Sequence, residues 1–294
     1  MEYKSLRCSI NEHEFSLFRD YIAEKSGILV PPEKAYLIET RLSKLMLDAG
    51  AESFGEFYNK IVADTDPRVS EKIINAITIN ETMWFRDTAP WKVLEESILP
   101  GLVEELVSGR RRRVRIWCAA VSTGQEVYSA AMCVNEYLKK NWVKGIDLSS
   151  FDFFATDISG SALDIAKRGR YDKISIMRGL SDYYREKYFN NNGSAWDVDT
   201  KIVNAVKFAR FNLQESFSKF GLFDIIFCRY VLIYFSDETK REIVEKIRDS
   251  LTDGGVLFTG NYVLYDLLKD DFESRHYDNL TYYLKKGDKS ENDK

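Results

Sequence analysis

Residues 114–128, VRIWCAAVSTGQEVY, constrain this chain more than any other stretch. Val114, Ile116, Trp117 and Cys118 form a short apolar run of β-favouring character, and the small residues Ala119, Ala120, Ser122, Thr123 and Gly124 follow before a helical pattern opens at Gln125. The pattern is that of a strand, a tight turn and a helix. Small side chains in such a turn let a ligand approach the backbone, and the first helical turn offers unpaired N–H groups at a positive dipole end. The same residues also suit an ordinary strand-to-helix crossover, and the full glycine pattern of a dinucleotide fingerprint is missing. Taken alone, the stretch leaves ligand binding and plain packing both open.

A second strand over 151–156 ends in Asp157, and Ser159 stands where it caps a helix beginning at Ser161. Strand, helix, strand, helix predicts a parallel sheet with right-handed crossovers. In such sheets the ligand lies beyond the carboxyl ends of the strands, where a carboxylate accepts both hydroxyls of a ribose. Asp157 either does that or caps the next helix, and the two features together favour the ribose. Further along, 196–203 and 205–211 read as a small antiparallel insertion, and Phe223, Ile225, Ile226 and Phe227 lie in a short strand buried on both faces. A helix over 237–251 stops at Asp253-Gly254-Gly255, a strand follows over 256–259, and 272–277 with 280–285 form an antiparallel pair.

Upstream, residues 11–80 are helical throughout. Phe15, Phe18 and Ile22, then Ile38, Leu42 and Leu45, then Phe54, Phe57 and Ile61, then Ile73 and Ile77 recur at spacings of three and four. Gly27, Pro31-Pro32, Gly50 and Pro67 punctuate these runs. A helix over 89–108 links this unit to the sheet. On the second helix, Lys34, Arg41 and Lys44 lie away from the apolar stripe, as a solvated face would.

Bulk properties exclude several classes. Lys and Arg number 42 against 46 acids, so charge advertises no nucleic-acid surface. No run approaches the ~20 apolar residues of a bilayer-crossing helix, and the amino terminus has no signal-type apolar core, so a cytoplasmic protein is expected. Cys8, Cys118, Cys133 and Cys228 have no paired metal spacing and read as reduced, buried thiols. With only two histidines, no GxSxG and no phosphate-cradling GxxxxGK, hydrolase and kinase readings lack support and no metal is expected. Methyl transfer asks for less: a sulfonium donor is already electrophilic, and a carboxylate acceptor is ionised at neutral pH and needs no general base.

Five segments in order, NETMWFR at 80–86, AAVSTGQEVYS at 119–129, ATDIS at 155–159, FNL at 211–213 and FCRYVLIYF at 227–235, resemble the CheR family. These are S-adenosylmethionine-dependent methyltransferases that esterify glutamate side chains of chemoreceptors. The resemblance runs from about residue 15 to 285. It implies a Rossmann-like class I methyltransferase domain (114–286) with a small antiparallel β-subdomain at about 190–211, preceded by a small all-helical domain (1–78) and a linker (79–113); the polar composition of 287–294 predicts a disordered tail. By the family pattern Asn80, Thr82 and Arg86 reach the donor from the linker, Glu126 takes its amino group, and Asp157 takes the ribose. Asn212, Leu213, Arg229 and Tyr230 line the adenosine side, Tyr234 and Arg86 stand near the transferred methyl, and Arg41 and Lys44 face the receptor's methylation helices. The product is S-adenosylhomocysteine. Val127 replaces the family's proline, Tyr230 a habitual asparagine, Leu45 a common basic residue, and Gly260-Asn261-Tyr262-Val263 a GHSE-like turn. The β-subdomain lacks the glycine-containing loop of members that tether to a receptor's terminal pentapeptide, so tether-independent action is implied; a monomer is expected because no long exposed apolar stripe is evident. Two alternatives stand beside this reading: a non-catalytic signalling module that binds the same ligands, and a methyltransferase acting on a different protein.

Overall fold

The computed structural model describes residues 9–64, 66–260 and 264–287. The chain opens with four helices, α1 (Glu12–Ser26), α2 (Ala35–Asp48), α3 (Phe54–Ala63) and α4 (Pro67–Ile77). Asn11 starts α1 with a capping box closed by Glu14, and Ser53 and Asp66 cap α3 and α4. The apolar stripes meet in one core in which Phe18, Ile22, Ile38 and Leu42 are fully buried. Each such side chain contributes about 1.5–3 kcal/mol, so this core is ample for a helical unit of this size.

The linking helix is not uniform. It runs as α5 (Thr88–Val93), a π-helical turn over Leu94–Ile98, and α6 (Leu99–Val107). Pro100 lies in the first turn of α6 and lacks the N–H that an uninterrupted α-helix requires there, which accounts for the break.

Strand β1 (Val114–Ala119), α7 (Gln125–Lys140), β2 (Phe151–Asp157) and α8 (Gly160–Arg168) then form the crossover pair. Next come β3 (Arg170–Tyr171), α9 (Lys173–Met177), α10 (Asp182–Tyr188), β4 (Phe189–Asn191), β5 (Trp196–Val198), α11 (Thr200–Asn204) and β6 (Val206–Arg210). The chain continues through β7 (Phe223–Phe227), α12 (Asp237–Asp249), β8 (Leu251–Phe258), α13 (Tyr265–Leu268), β9 (Phe272–Tyr277) and β10 (Leu280–Lys285).

Seven strands make the main sheet in the order β6-β2-β1-β7-β8-β10-β9. Its first five run parallel, and β10 and β9 are antiparallel additions. The order reverses between β1 and β7, which puts a crevice at their carboxyl ends. Apolar clusters lie on both faces, one packing α7 and the linking helix, the other α12. Every residue of β7 is buried, as a central parallel strand requires.

Two expectations are corrected here. The 205–211 run does not belong to the small antiparallel insertion: β6 pairs in parallel with β2 at the edge of the main sheet, and 200–204 is helical. The separate small sheet is β3-β5-β4, which shifts the subdomain toward residue 170. The second correction concerns Gly254-Gly255, which do not stop α12. That helix ends at Asp249, and the glycines fall inside β8, where the pairing with β7 shifts register. Cys8, Asn261-Tyr262-Val263 and the tail from Lys289 onward, together with Asp288, lie outside the described residues.

Candidate active site

The turn after β1 is wound tightly. Ala120 (φ 57°), Ser122 (φ 55°) and Gly124 (φ 97°) all adopt left-handed backbone. Gly124 has no alternative, since a Cβ there would stand 2.8 Å from that of Ala166. For Ala120 and Ser122 the conformation costs about 1–2 kcal/mol each, and surrounding bonds hold it. The Val121 N–H donates to the Thr156 carbonyl at 2.9 Å, and the Tyr171 hydroxyl donates to the Thr123 carbonyl at 2.6 Å. The Ser122 hydroxyl donates to the Asn80 carbonyl at 2.9 Å, tying the linker to the turn.

Asp157 closes the floor beside it. The Ser122 N–H donates to its Oδ2 at 2.7 Å and the Ser159 N–H to its Oδ1 at 2.8 Å. Burial pushes this carboxyl above its ordinary range, opposed by the N–H groups of Ser159, Ser122 and Ile158. The cap of α8 is Ser159, whose hydroxyl accepts from the Ala162 N–H. Asp157 braces that N-cap residue through its backbone N–H and also lines the cleft.

A charge cluster forms the adjoining wall. Arg229 follows β7, its side chain is fully buried, and it lies between two acids: Nη1 donates to Glu126 Oε2 at 2.8 Å and Nη2 to Asp87 Oδ2 at 2.7 Å. Nη2 also donates to the Arg86 carbonyl at 2.8 Å, while among the described residues Nε has no partner. Burial pushes Glu126 upward, and the Arg229 charge opposes the shift. The Tyr230 hydroxyl donates to Asp87, and the Arg86 guanidinium stacks 3.7 Å from the centre of the Tyr230 ring.

The linker that carries Asn80, Thr82 and Arg86 is pinned by its aromatic residues. Trp84 is fully buried, its backbone N–H donates to the Arg178 carbonyl at 3.1 Å, and its indole donates to the Ser175 carbonyl at 3.1 Å. The Phe85 N–H donates to the Ser129 hydroxyl at 3.0 Å. The helical unit roofs the cleft through the Leu29 N–H to the Tyr234 carbonyl at 2.8 Å, Asn212 to the Lys25 carbonyl at 3.0 Å, and an Arg210–Glu71 ion pair at 2.9 Å.

One cleft of about 210 Å³ brings together Asn80, Thr82, Arg86, Glu126, Asp157, Asn212, Leu213, Arg229, Tyr230 and Tyr234. Burial raises the Tyr234 hydroxyl's pKa, so it stays protonated at neutral pH and is able to donate a hydrogen bond. Arg41 and Lys44 are not in the cleft wall. Arg41 is not a solvated charge either: its Nη1 donates to the carbonyls of Ala76, Ile77 and Thr78 at 3.4, 2.7 and 3.0 Å, closing the end of α4. Lys44 is exposed. Sequence reasoning missed Asp87, whose left-handed backbone (φ 56°) and double acceptor role leave no periodic signal. Cys118, Cys133 and Cys228 are buried, and burial pushes their thiols up, Cys133 to about 12. Among the described residues there is no cluster able to hold a metal ion, and no helix is long and apolar enough to cross a membrane.

The sheet order, with its crevice at the β1/β7 switch and an acid ending the second strand, defines a Rossmann-like methyltransferase domain joined to a helical one. The particular kind follows from known proteins. Residues 80–278 match the CheR methyltransferase SAM binding domain and residues 13–78 the CheR methyltransferase all-alpha domain. The chain is 40% identical over 261 residues to chemotaxis protein methyltransferase 1 of Pseudomonas aeruginosa, covering 88% of this chain and 93% of that one. It is 36% identical over 266 residues to a chemotaxis protein methyltransferase of Vibrio parahaemolyticus (90% and 94% covered) and 32% identical over 259 to one of Borreliella burgdorferi (87% and 90%). The chain belongs to the CheR family of chemotaxis methyltransferases, with an S-adenosylmethionine-binding domain.

Proposed function

We propose that this protein transfers a methyl group from S-adenosylmethionine to glutamate side chains on the cytoplasmic helices of chemoreceptors, forming methyl esters. The observation that carries the reading is the convergence, in a single cleft, of ten residues drawn from the linker, the start of α7, the ends of β2 and β6, and the segment after β7. The donor fits what is there. Asp157 has lone pairs for a ribose, Glu126 is an acid for an ammonium, and the small turn residues allow close backbone approach.

The donor supplies an electrophilic methyl carried on a sulfonium sulfur. What the chain supplies is alignment and dryness. Asp157 and Glu126 would hold the ribose and the ammonium of the donor, the groups on either side of its sulfonium, in the cleft that Tyr234 and Arg86 also line. The protonated Tyr234 hydroxyl would donate to the acceptor carboxylate, the positive charge of Arg86 lies on the same cleft wall, and no residue has to remove a proton. Leu29, Ile79 and Ile233 are exposed apolar residues at the mouth beside Tyr234, and they suit an amphipathic acceptor helix whose apolar positions flank the glutamate. We assign no tether to the β-subdomain and read the protein as a cytoplasmic monomer.

Mass mapping of receptor peptides from cells with and without the gene tests the substrate. Glutamyl methyl esters that disappear with the gene support the proposal. Unchanged receptor esters, with methyl groups lost from some other protein, would assign the activity elsewhere.

A further inference from the structure

Glu126 has a conflict of duty. If it takes the donor's ammonium, as the proposed function has it, the fully buried Arg229 must still have a counter-charge, because a buried guanidinium stripped of its partner is costly. The structure contains a second acid for that purpose. Asp87 stands on the opposite side of Arg229, accepts from Nη2 at 2.7 Å, and comes from the linker rather than from the sheet. Glu126 commits only Oε2 to Arg229, and among the described residues its Oε1 has no hydrogen-bond partner. The cluster of Arg86, Arg229, Glu126 and Asp87 is then balanced, with two positive and two negative charges, and a zwitterionic amino-acid group enters it without leaving net charge behind.

We propose that Asp87 is a positioning residue, the second counter-ion of Arg229, whose charge leaves Glu126 available to the ammonium group of the donor. It rests on the donor reading above and goes beyond it by naming what keeps Glu126 available. Asp87 reaches this position only through its left-handed backbone, and its bond from Tyr230 keeps the carboxylate turned toward Arg229. A neutral side chain at 87 gives Arg229 a single counter-ion, Glu126, and draws that carboxylate away from the ligand.

The test is calorimetric titration of the full-length wild type, Asp87→Asn, Asp87→Ser and Asp87→Glu with two ligands. S-adenosylhomocysteine carries the amino-acid group, and methylthioadenosine keeps the nucleoside and lacks it. Both neutral variants are expected to weaken S-adenosylhomocysteine about tenfold, the equivalent of about 1.4 kcal/mol, and methylthioadenosine less than about twofold. Asp87→Glu restores most of the difference. Equal loss on both ligands means that Asp87 only supports the fold of the wall and overturns the inference, as does full S-adenosylhomocysteine affinity in a folded neutral variant. Two neutral variants guard against one failing to fold. Wild type that binds neither ligand refutes the donor reading itself, and this inference with it.

Discussion

Gly179, in the turn between α9 and α10, stands against the linker that carries candidate site residues, and an alanine there is the sharpest structural perturbation available. The residue sits after α9 at φ +89°, and an added Cβ would lie 2.1 Å from the Trp84 carbonyl oxygen and 3.1 Å from Met83 Cε. A backbone oxygen cannot rotate out of the way, so either the turn or the linker must move. Left-handed backbone costs an L-residue about 1–2 kcal/mol, and losing the bond from the Trp84 N–H to the Arg178 carbonyl costs about 1 kcal/mol more. With some loosening around the buried Trp84 ring, Gly179→Ala should destabilise by about 2–4 kcal/mol. For a chain of this size that lowers Tm by roughly 4–16 °C. Because the same linker carries Asn80, Thr82 and Arg86, S-adenosylhomocysteine affinity should fall in parallel. Gly193→Ala is the control: it has φ +92° with open space around it, so it carries the backbone cost without the collision. Differential scanning calorimetry of both variants decides the matter. A Gly179→Ala protein no less stable than Gly193→Ala, with unchanged ligand affinity, would refute the idea that the turn between α9 and α10 fixes the linker.

Arg41→Ala should cost about 1–3 kcal/mol, because one guanidinium closes three carbonyls at the end of α4, and thermal melts will show it. Unchanged Tm together with weaker receptor methylation would instead assign Arg41 to acceptor docking. Burial raises both Glu126, ordinarily near 4.5, and Asp157, so protonation sets in at higher pH than for exposed carboxylates. S-adenosylhomocysteine affinity should therefore decline as pH falls through a window above the ordinary carboxylate range, and Glu126→Gln should flatten its share of that profile. In the ligand-free protein the sign is opposite: groups with raised folded-state pKa values stabilise the fold at acid pH, and that contribution is lost as pH rises through those values. Melts across the same range should run counter to the binding curve for this pair.

Much of the fold was legible because it is local. The 114–128 stretch contains its strand, its turn and its helix start, and α7 runs over Gln125–Lys140, where the pattern predicts it. What escaped depends on distant partners. The VKFAR of β6 has the alternation of an antiparallel edge, and only its pairing with β2 assigns it to the main sheet. Gly254-Gly255 look like a helix stop in sequence, yet the parallel partner β7 draws them into a strand with a register shift. At the site, the place of Asp157 in the cleft was legible because a strand tip in a parallel sheet has a known use, whereas Glu126 was named only through the family resemblance. Arg41 was misjudged because a charge on an outward face looks solvated until the end of α4, some 35 residues later in the chain, is folded against it. Asp87 was missed because its role depends on a backbone conformation that only the tertiary structure imposes.

The most direct measurement is methyl transfer in a purified system. The protein would be incubated with methyl-labelled S-adenosylmethionine and a cytoplasmic helical fragment of a chemoreceptor from the same cell. The account predicts label on the fragment that mild alkali releases, as a glutamyl ester requires, and no transfer by a folded Asp157→Ala variant. Label that resists alkali, or a fragment left unlabelled by protein that binds the donor, would contradict it.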